Sequence, residues 1–366
     1  MKYFIIAGER SGDLHASSLI KQLLSQSPES EVYAWGGDMM QQAGAKLLQH
    51  YESISFMGLW EVMVNLRTIS SKMKLCKKQI AELVPDMVIL VDFPGFNLRI
   101  AKFSKSIGLT TCYYISPKIW AWKKGRIKQI KKYVDQMLVI LPFEKKFYAN
   151  LGYDVTYVGN PLVERIEQYP FDEEFIKNSG GRPNIAFLPG SRKQELLRSI
   201  SVITYLAQRK PDYHFLVAGV DNLPTELYQP LEGLGNVSVH FNKTYDVLKR
   251  ADAAVVTSGT ATLEAALIGT KQVVVYKTSG FTYFFGRLLV KIKFISLVNL
   301  IAGRAVVKEL IQDQYNVNNV LKELEDLLGN TDRIEAISND YREIRTLIGD
   351  LKTSEIAASE IVRATR

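Results

Sequence analysis

The sequence predicts an α/β protein built from two parallel sheets, each covered by helices on both faces. Short apolar runs alternate with longer amphipathic runs along most of the 366 residues. Uninterrupted apolar strands between helices are typical of parallel sheets that are buried on both faces. The pattern stops at a polar stretch with Pro and Gly, 167–183, and then starts again. Two Rossmann-like halves in one chain therefore predict a ligand held in the cleft between them.

The strands follow from the apolar runs in chain order. In the first half they are 2–7, 31–35, 86–91, 110–115, 136–141 and 155–159, and in the second half 184–192, 214–219, 237–241, 252–259 and 271–276. Helical periodicity fills the intervals, for example at Leu59, Val62 and Leu66. From about Thr331 the chain is charged and helical, and we expect closing helices that pack back on the first domain.

The length and the restart of the pattern set the domain boundaries. A chain of this size normally divides into two domains. We expect a first domain at 1–166, a linker at 167–183, a second domain at 184–345 and a closing C-terminal helix at 346–366. Gly8 and Gly190 each follow the first strand of their half, which suggests that the two halves begin alike.

Composition excludes several classes of protein. With 47% hydrophobic and 23% charged residues the chain is typical of a globular protein. Two cysteines and four scattered histidines cannot form a disulfide framework or a regularly spaced metal site. We expect a cytoplasmic protein without signal peptide or membrane span, because no apolar run reaches 18 residues. The net charge of +8 leaves nucleic acid, anionic lipid and phosphorylated small molecules open as partners.

The second half carries two motifs that indicate a nucleotide site. In "LPGSRKQEL" we expect Ser191 to cap a helix whose start, with Arg192, binds an anion; a plain capped turn is the alternative. In "TSGTATLEAALIG" small residues end a strand, and Glu264 stands in the second helical turn. A carboxylate there can accept both ribose hydroxyls, although a solvated helix residue is the other interpretation.

The first half places an acid at the end of a strand. "AGERSGDLHA" leaves a strand for a helix through Gly8, and "LVDFPGFNLRIAK" ends an apolar strand in Asp92. This layout is how open α/β sheets form ligand crevices. Asp92 is therefore a candidate general base, with a cap or turn acid as the alternative, and Asn97 is expected to cap the following helix.

Two segments combine basic and apolar residues. Six Lys and Arg residues occupy 123–133, just after Trp120 and Trp122, and seven occupy 265–308, where there is no acid. The apolar spacing around Phe281 and Phe284 fits either a helix at a membrane interface or a helix facing the core. The basic helix is either a solvated surface or a rim that meets phosphate or anionic lipid.

Several motifs in order resemble one family. They are "AGERSGD", "MGLWEV", "DFPGFNL", "ISPKIWAW", "LPFEKKFY", "VGNPLVE", "LPGSR", "SGTATLE" and "NLIAGR", from Gly8 to about Gln312. The chain thereby resembles the lipid-A-disaccharide synthases. The resemblance implies a GT-B fold and an inverting transfer of 2,3-diacylglucosamine from UDP to 2,3-diacylglucosamine 1-phosphate (lipid X). Gly95 stands where many members have a second acid after Asp92.

The resemblance also implies roles for particular residues. Asp92 and Arg192 are expected to be catalytic. The remaining predicted sets bind UDP (Gly190, Ser191, Arg192, Ser258, Gly259, Thr260, Glu264, Asn299), the acceptor (Gly8, Glu9, Ser11, Gly12, Asp13, Asn97, Ser116, Trp120) and acyl chains or the membrane (Met57, Trp60, Phe281, Phe284, Phe285, Leu288).

Partners and alternatives complete the prediction. We expect UDP-diacylglucosamine and lipid X as substrates, no cofactor, no metal, and peripheral contact with the inner face of the cytoplasmic membrane. A homodimer is a further expectation. The alternatives are a related enzyme acting on UDP-N-acetylglucosamine, either an epimerase or the peptidoglycan glycosyltransferase, and a basic nucleic-acid binder. The last is disfavoured, because the aromatic residues lie in amphipathic patterns rather than on a stacking platform.

Overall fold

The computed structural model describes residues 1–53, 66–177, 180–278 and 292–365. The chain forms two compact units, one made of Met1–Glu164 with Asp350–Arg366 and the other of Arg165–Gly349. The chain therefore leaves the first unit after Glu164 and returns to it after Gly349. The α/β class with two parallel sheets is confirmed.

The first unit is built on a parallel sheet of seven strands. They are β1 (Lys2–Ala7), β2 (Glu31–Gly36), β3 (Lys46–His50), β4 (Met87–Val91), β5 (Thr110–Tyr114), β6 (Gln136–Val139) and β7 (Thr156–Tyr157), in the order β3-β2-β1-β4-β5-β6-β7. The helices are α1 (Arg10–Gln26), α2 (Asp38–Gln42), α3 (Leu66–Leu83), α4 (Pro94–Ser106), α5 (Ile127–Tyr133), α6 (Pro142–Ala149) and α7 (Pro161–Glu167), the last of which crosses the boundary between the units.

Both faces of this sheet are buried, as its apolar strands predict. Along β1, Tyr3 and Ile5 join a core that includes Leu19 of α1, whereas Phe4 and Ile6 join the core on the other face. All four β1 side chains are fully buried. The alternation between two cores explains why a strand without polar positions forms here.

The second unit is built on a parallel sheet of six strands. They are β8 (Asn184–Leu188), β9 (His214–Gly219), β10 (Val237–Phe241), β11 (Ala253–Thr257), β12 (Gln272–Tyr276) and β13 (Glu309–Ile311), in the order β10-β9-β8-β11-β12-β13. The helices are α8 (Glu173–Lys177), α9 (Lys193–Arg209), α10 (Thr244–Arg250), α11 (Ala261–Ile268), α12 (Leu297–Ala302), α13 (Val317–Gly329) and α14 (Thr331–Ile348).

The stretch expected as a linker is attached to the second unit. The Tyr169 hydroxyl donates to the Asp246 carboxylate at 2.7 Å, and the Asp172 backbone N–H donates to it at 2.8 Å. The Lys243 ammonium pairs with Asp172 at 2.7 Å. The polar segment that was expected as a linker is thus held against the second unit, because the buried Asp246 carboxylate accepts hydrogen bonds from it.

The last helix, α15 (Thr353–Thr365), returns to the first unit. Its residues Ala357 and Ile361 are fully buried in the core that contains Tyr3 and Leu19. This confirms the predicted packing on the first domain for α15, whereas α14, which also lies in the stretch from Thr331, belongs to the second unit. Within the four described ranges, no helix combines the length and the hydropathy that crossing a bilayer requires.

Candidate active site

In the first unit, two predicted segments meet where the strand order reverses. Strand β1 lies between β2 and β4, so the connections that follow β1 and β4 leave on opposite faces of the sheet. Ala7 is paired with Val91, which brings Glu9 and Asp92 to the same edge. Ligands of open α/β sheets bind outside the carboxyl ends of strands at such a switch point.

The turn that carries Asp92 has an unusual backbone. Asp92 and Phe93 have φ values of 42° and 47°, in the left-handed region that residues other than glycine rarely adopt. The Asp92 carbonyl accepts hydrogen bonds from the Tyr113 hydroxyl at 2.5 Å and from Asn97 Nδ2 at 2.8 Å. These bonds hold the turn in place, and α4 begins directly after it at Pro94.

The Asp92 carboxyl has a pKa suited to accepting a proton. Burial raises the pKa of Asp92 to about 6, with the Glu9 carboxylate contributing in the same direction. The Lys118 ammonium and the Phe93 backbone N–H lower it. A carboxylate with a pKa near the working pH is an effective general base.

Two predicted acceptor residues have structural roles instead. Asp13 is 1% exposed, and its carboxylate accepts the backbone N–H groups of Gly37 at 2.7 Å and of Met39 and Met40 at 3.2 Å. It holds the start of α2 and has no room for a sugar hydroxyl. Asn97 is fully buried inside α4, whose N-cap is Phe93, so the expected cap at Asn97 is wrong. Asp13 and Asn97 are therefore removed from the predicted set of acceptor-binding residues.

The glycines of the same set allow close packing of the protein itself. A Cβ atom on Gly8 would lie 2.3 Å from the Phe93 ring, and one on Gly12 would lie 3.2 Å from the Ala7 Cβ. The space next to these glycines, which we expected a ligand to occupy, is thus filled by side chains of the protein. Glu9 and the exposed Ser11 remain available, and the Ser11 hydroxyl donates to the Glu9 carboxylate at 2.7 Å.

Ser116 and Trp120 meet at a carboxylate that sequence reasoning missed. Both donate hydrogen bonds to Glu144 Oε1, the Trp120 indole at 3.1 Å, while the Leu141 backbone N–H donates to Oε2 at 3.0 Å. Glu144 is 2% exposed, and burial raises its pKa. Its position just inside the Pro142 helix start signals a capping acid, but nothing in the sequence links it to Ser116.

The second unit repeats the switch-point arrangement. Strand β8 lies between β9 and β11, and Leu188 is paired with Val256. The turn after β8, Gly190 to Arg192, therefore lies beside the turn after β11, Ser258 to Thr260. The structure brings these two predicted nucleotide-binding segments to one edge of the sheet.

The turn after β8 differs from the prediction in its cap. Helix α9 begins at Lys193, its N-cap is Arg192, and no side chain caps it, so the expected Ser191 cap is wrong. The Arg192 side chain is 69% exposed, and its guanidinium lies 3.8 Å from the Glu195 carboxylate. An exposed cation thus stands at the start of a helix of four to five turns, a favourable arrangement for an anion.

The turn after β11 is tied to a distant loop. The Ser258 hydroxyl donates to the Ile295 carbonyl at 2.9 Å, and the Thr262 hydroxyl donates to the Gly259 carbonyl at 2.9 Å. Gly259 and Thr260 are exposed at the start of α11. Their carbonyl groups accept hydrogen bonds from the first residues of α11, so their backbone N–H groups are the atoms that a ligand would meet.

Glu264 is half-buried in α11 and has a partner. The Tyr245 hydroxyl donates to Glu264 Oε1 at 2.9 Å. Burial raises the pKa of Glu264, whereas the Tyr245 hydrogen bond and the Arg165 guanidinium lower it. These surroundings do not fit the alternative interpretation, in which Glu264 is a solvated helix residue.

Asn299 does not face a ligand. Its amide donates to the Val307 carbonyl and to the Glu309 carboxylate, both at 2.9 Å, and its carbonyl accepts the Val306 N–H at 2.8 Å. With 1% exposure, its side chain is used in closing this loop. The predicted UDP contact is therefore corrected, and Glu309, which also accepts the Ser296 N–H at 3.0 Å, is the missed organising residue.

The residues predicted to contact acyl chains or the membrane lie outside the part of the chain that the structure describes. They are Met57, Trp60, Phe281, Phe284, Phe285 and Leu288. Their assignment stays a prediction.

Sequence comparison identifies related proteins over nearly the whole chain. A family model described as lipid-A-disaccharide synthetase matches residues 3–363. The lipid-A-disaccharide synthase of Syntrophus aciditrophicus (strain SB) is 39% identical over 364 residues, which cover 97% of this chain and 95% of the relative. That of Myxococcus xanthus (strain DK1622) is 36% identical over 370 residues, covering 99% and 97%.

Structure comparison identifies the same fold at low identity. A UDP-GlcNAc 2-epimerase from Neisseria meningitidis, crystallised with UDP-GlcNAc, has a TM-score of 0.69 at 12% identity and covers 99% of this chain and 100% of its own. The glycosyltransferase of kitacinnamycin has a TM-score of 0.65 at 15% identity, covering 99% and 98%. These likenesses confirm the fold shared by GT-B glycosyltransferases and epimerases.

Proposed function

The chain belongs to the lipid-A-disaccharide synthase family, and on that premise we propose its substrates and the roles of its residues. It is a glycosyltransferase of lipid A disaccharide synthesis. We propose that the donor is UDP-2,3-diacylglucosamine and that the acceptor is lipid X, joined with inversion to a β-1,6-linked disaccharide 1-phosphate with release of UDP. The alternative, an enzyme acting on UDP-N-acetylglucosamine, rests on fold likeness alone.

One observation carries the assignment of roles. Each sheet has its predicted site residues at its own switch point, with the Asp92 and Glu9 carboxylates in the first unit and the exposed Arg192 guanidinium at a helix start in the second. We therefore assign the acceptor to the first unit, beside Asp92 and Glu9. The donor belongs to the second unit, where Arg192 and the start of α11 meet its diphosphate and Glu264 meets its ribose.

The reaction follows from these placements. Asp92 accepts the proton of the acceptor 6-hydroxyl as that oxygen bonds to the anomeric carbon of the donor. The bond from the anomeric carbon to the UDP oxygen breaks on the opposite face, which inverts the configuration. Negative charge grows on the leaving diphosphate, and Arg192 with the helix N-terminus stabilises it.

The test is to combine purified protein with both lipids in detergent and to analyse the products by mass. We expect the disaccharide 1-phosphate and one UDP per disaccharide. UDP-N-acetylglucosamine replaces the acylated donor in the control and should yield no disaccharide. Conversion of the unacylated donor instead, to an epimer or a different glycoside, would contradict the proposal.

We also propose that the first unit docks on an anionic membrane through its helices α3, α4 and α5. Helix α3 packs on α4, and α4 packs on α5. With the turn 123–126, these helices carry fourteen Lys and Arg residues and one acid, Glu82. Trp122 is 39% exposed on this surface, with the Lys123 ammonium 4.4 Å from its ring centroid. Each basic residue near an anionic surface contributes roughly 1 kcal/mol.

Sedimentation with vesicles tests this surface. Replacing Lys128, Lys131 and Lys132 by Glu should weaken binding to phosphatidylglycerol vesicles at least about tenfold. The control replaces Lys21, Lys249 and Lys322 by Glu, which changes the net charge equally at exposed sites elsewhere. Equal losses in both variants, or binding that high salt leaves unchanged, would refute a dedicated docking surface.

The expected homodimer stays a prediction, and light scattering of the purified protein tests it.

A further inference from the structure

Tyr245 lies in the first turn of α10 with its hydroxyl directed at the adjacent helix α11. Its side chain is 3% exposed, and its hydroxyl donates to Glu264 Oε1 at 2.9 Å. Helices α10 and α11 pack against each other. None of the predicted nucleotide motifs contains Tyr245, which stands nineteen positions before its partner.

The ring of Tyr245 is held from other sides as well. The Tyr169 ring meets it edge-on, with centroids 4.9 Å apart and an interplanar angle of 66°. The Arg165 guanidinium lies 5.4 Å from the Tyr245 ring centroid. Tyr169 is itself fixed by its hydrogen bond to Asp246. The hydroxyl that reaches Glu264 therefore comes from a side chain with little freedom to move.

We propose that Tyr245 is a positioning residue that makes the donor site selective for a ribonucleotide. This inference rests on the proposed function, in which Glu264 accepts the ribose hydroxyls. An ionised carboxylate offers about four acceptor sites over its two oxygens. With one of them used by Tyr245, the carboxylate is held in one orientation and keeps enough acceptor sites for a cis-diol.

The contacts of Glu264 oppose the effect of its burial. Burial raises the pKa of Glu264, and a protonated carboxyl could accept fewer hydrogen bonds from a diol. The Tyr245 hydroxyl and the Arg165 guanidinium both favour the ionised form. Tyr245 thus fixes the orientation of the acceptor group and supports its charge.

Nucleotide binding by calorimetry tests the proposal with two ligands, UDP and 2′,3′-dideoxy-UDP. Tyr245→Phe should weaken UDP binding about fivefold to twentyfold, the lower part of the loss expected for a hydrogen bond to a charged group, because Tyr245 acts on the ligand only through Glu264. The same variant should bind the dideoxy nucleotide like the wild type, since that ligand has no hydroxyls for Glu264.

Two further variants control the experiment. Tyr341 is 6% exposed in the same unit, and its hydroxyl accepts a hydrogen bond from Gln272 Nε2 at 3.2 Å. Tyr341→Phe removes that hydroxyl and should change the affinity for neither UDP nor the dideoxy nucleotide. Glu264→Gln should reduce the preference for UDP over the dideoxy nucleotide. Thermal melting of all variants detects any loss of folded protein.

The outcomes separate this inference from the proposed function. Failure of the wild-type protein to bind UDP would overturn the donor site and the inference with it. A wild-type preference for UDP that Glu264→Gln abolishes and Tyr245→Phe retains would overturn the inference and leave the site standing. Equal losses for both nucleotides in Tyr245→Phe would show a structural role only.

Discussion

The two switch points differ in how their turns are built. In the first unit the turn after β4 places Asp92 and Phe93 in the left-handed region, at φ values of 42° and 47°. In the second unit the turn after β8 uses Gly190 at a φ of 96°, a conformation that glycine adopts without steric cost. A residue other than glycine that is held in the left-handed region, as Asp92 and Phe93 are, raises the free energy of the folded state by about 1–3 kcal/mol.

The strained turn is held by its neighbours, whereas the relaxed turn leaves its cation exposed. The Phe93 ring packs so closely over Gly8 that a Cβ there would be 2.3 Å away, and Tyr113 bonds the Asp92 carbonyl. The Arg192 side chain, by contrast, is 69% exposed, and its guanidinium lies 3.8 Å from the Glu195 carboxylate. The contrast fits the two proposed roles, because proton transfer needs a fixed group, whereas a flexible diphosphate can be met by an exposed cation.

The largest effect is expected at the strained turn. Asp92→Asn should reduce turnover by about 10²–10⁴-fold, since a positioned base contributes that factor. UDP affinity should stay at the wild-type value. Asp86→Asn is the matched control, because Asp86 precedes the amino end of β4 and accepts the Lys2 backbone N–H at 2.7 Å. Wild-type turnover from folded Asp92→Asn protein would refute Asp92 as the base.

A smaller effect is expected at the relaxed turn. Arg192→Ala should weaken UDP binding by about 1–3 kcal/mol, the range for a lost hydrogen bond to a charged group. Calorimetry measures the change. Arg209→Ala, at the other end of the same helix α9, is the control and should leave the affinity unchanged. If both variants bind UDP equally well, the cation at this turn has no role in the nucleotide site.

The pH dependence sharpens the contrast further. Burial raises the pKa of Asp92 to about 6, so the base loses its charge as the pH falls through that value. Below it, kcat/KM should drop about tenfold per pH unit. The residual activity of Asp92→Asn should lack this acidic limb. An unchanged limb in that variant would assign the titration to another group.

The smallest effect concerns the position of the missing second acid. Gly95 is exposed in the first turn of α4, and a Cβ there would have none of the described residues within 4 Å. Gly95→Asp should leave turnover unchanged and stabilise the protein by about 0.3–1 kcal/mol through the helix N-terminus. Gly108→Asp, just after the same helix, should destabilise, because Gly108 has a φ of 80°. Thermal melting measures both, and a large loss of activity in Gly95→Asp would contradict the expectation.

Strand prediction succeeded where burial on both faces leaves only apolar residues. β1 and β9 have the predicted bounds. The edge strand β10 does as well, although it is only half-buried, because Val and Phe alternate with polar residues along it. Strands β3 and β13 were missed: "KLLQH" is half polar and only partly buried, and β13 has three residues beginning with Glu309. Edge strands such as these gain their structure from the neighbour they pair with, which leaves little pattern in the sequence.

The sequence by itself determined the two halves, the strand-to-helix turns and the presence of Asp92 and Arg192 in them. Local propensity and apolar periodicity act over neighbouring residues, so these features are readable in the chain. Only the tertiary structure decided the strand order that places those turns at switch points. It also decided which polar groups hold the fold, Asp13 and Asn299 among them. Most of their partners are backbone groups that packing brings together, and a hydrogen bond between separate segments has no signature in the residues alone.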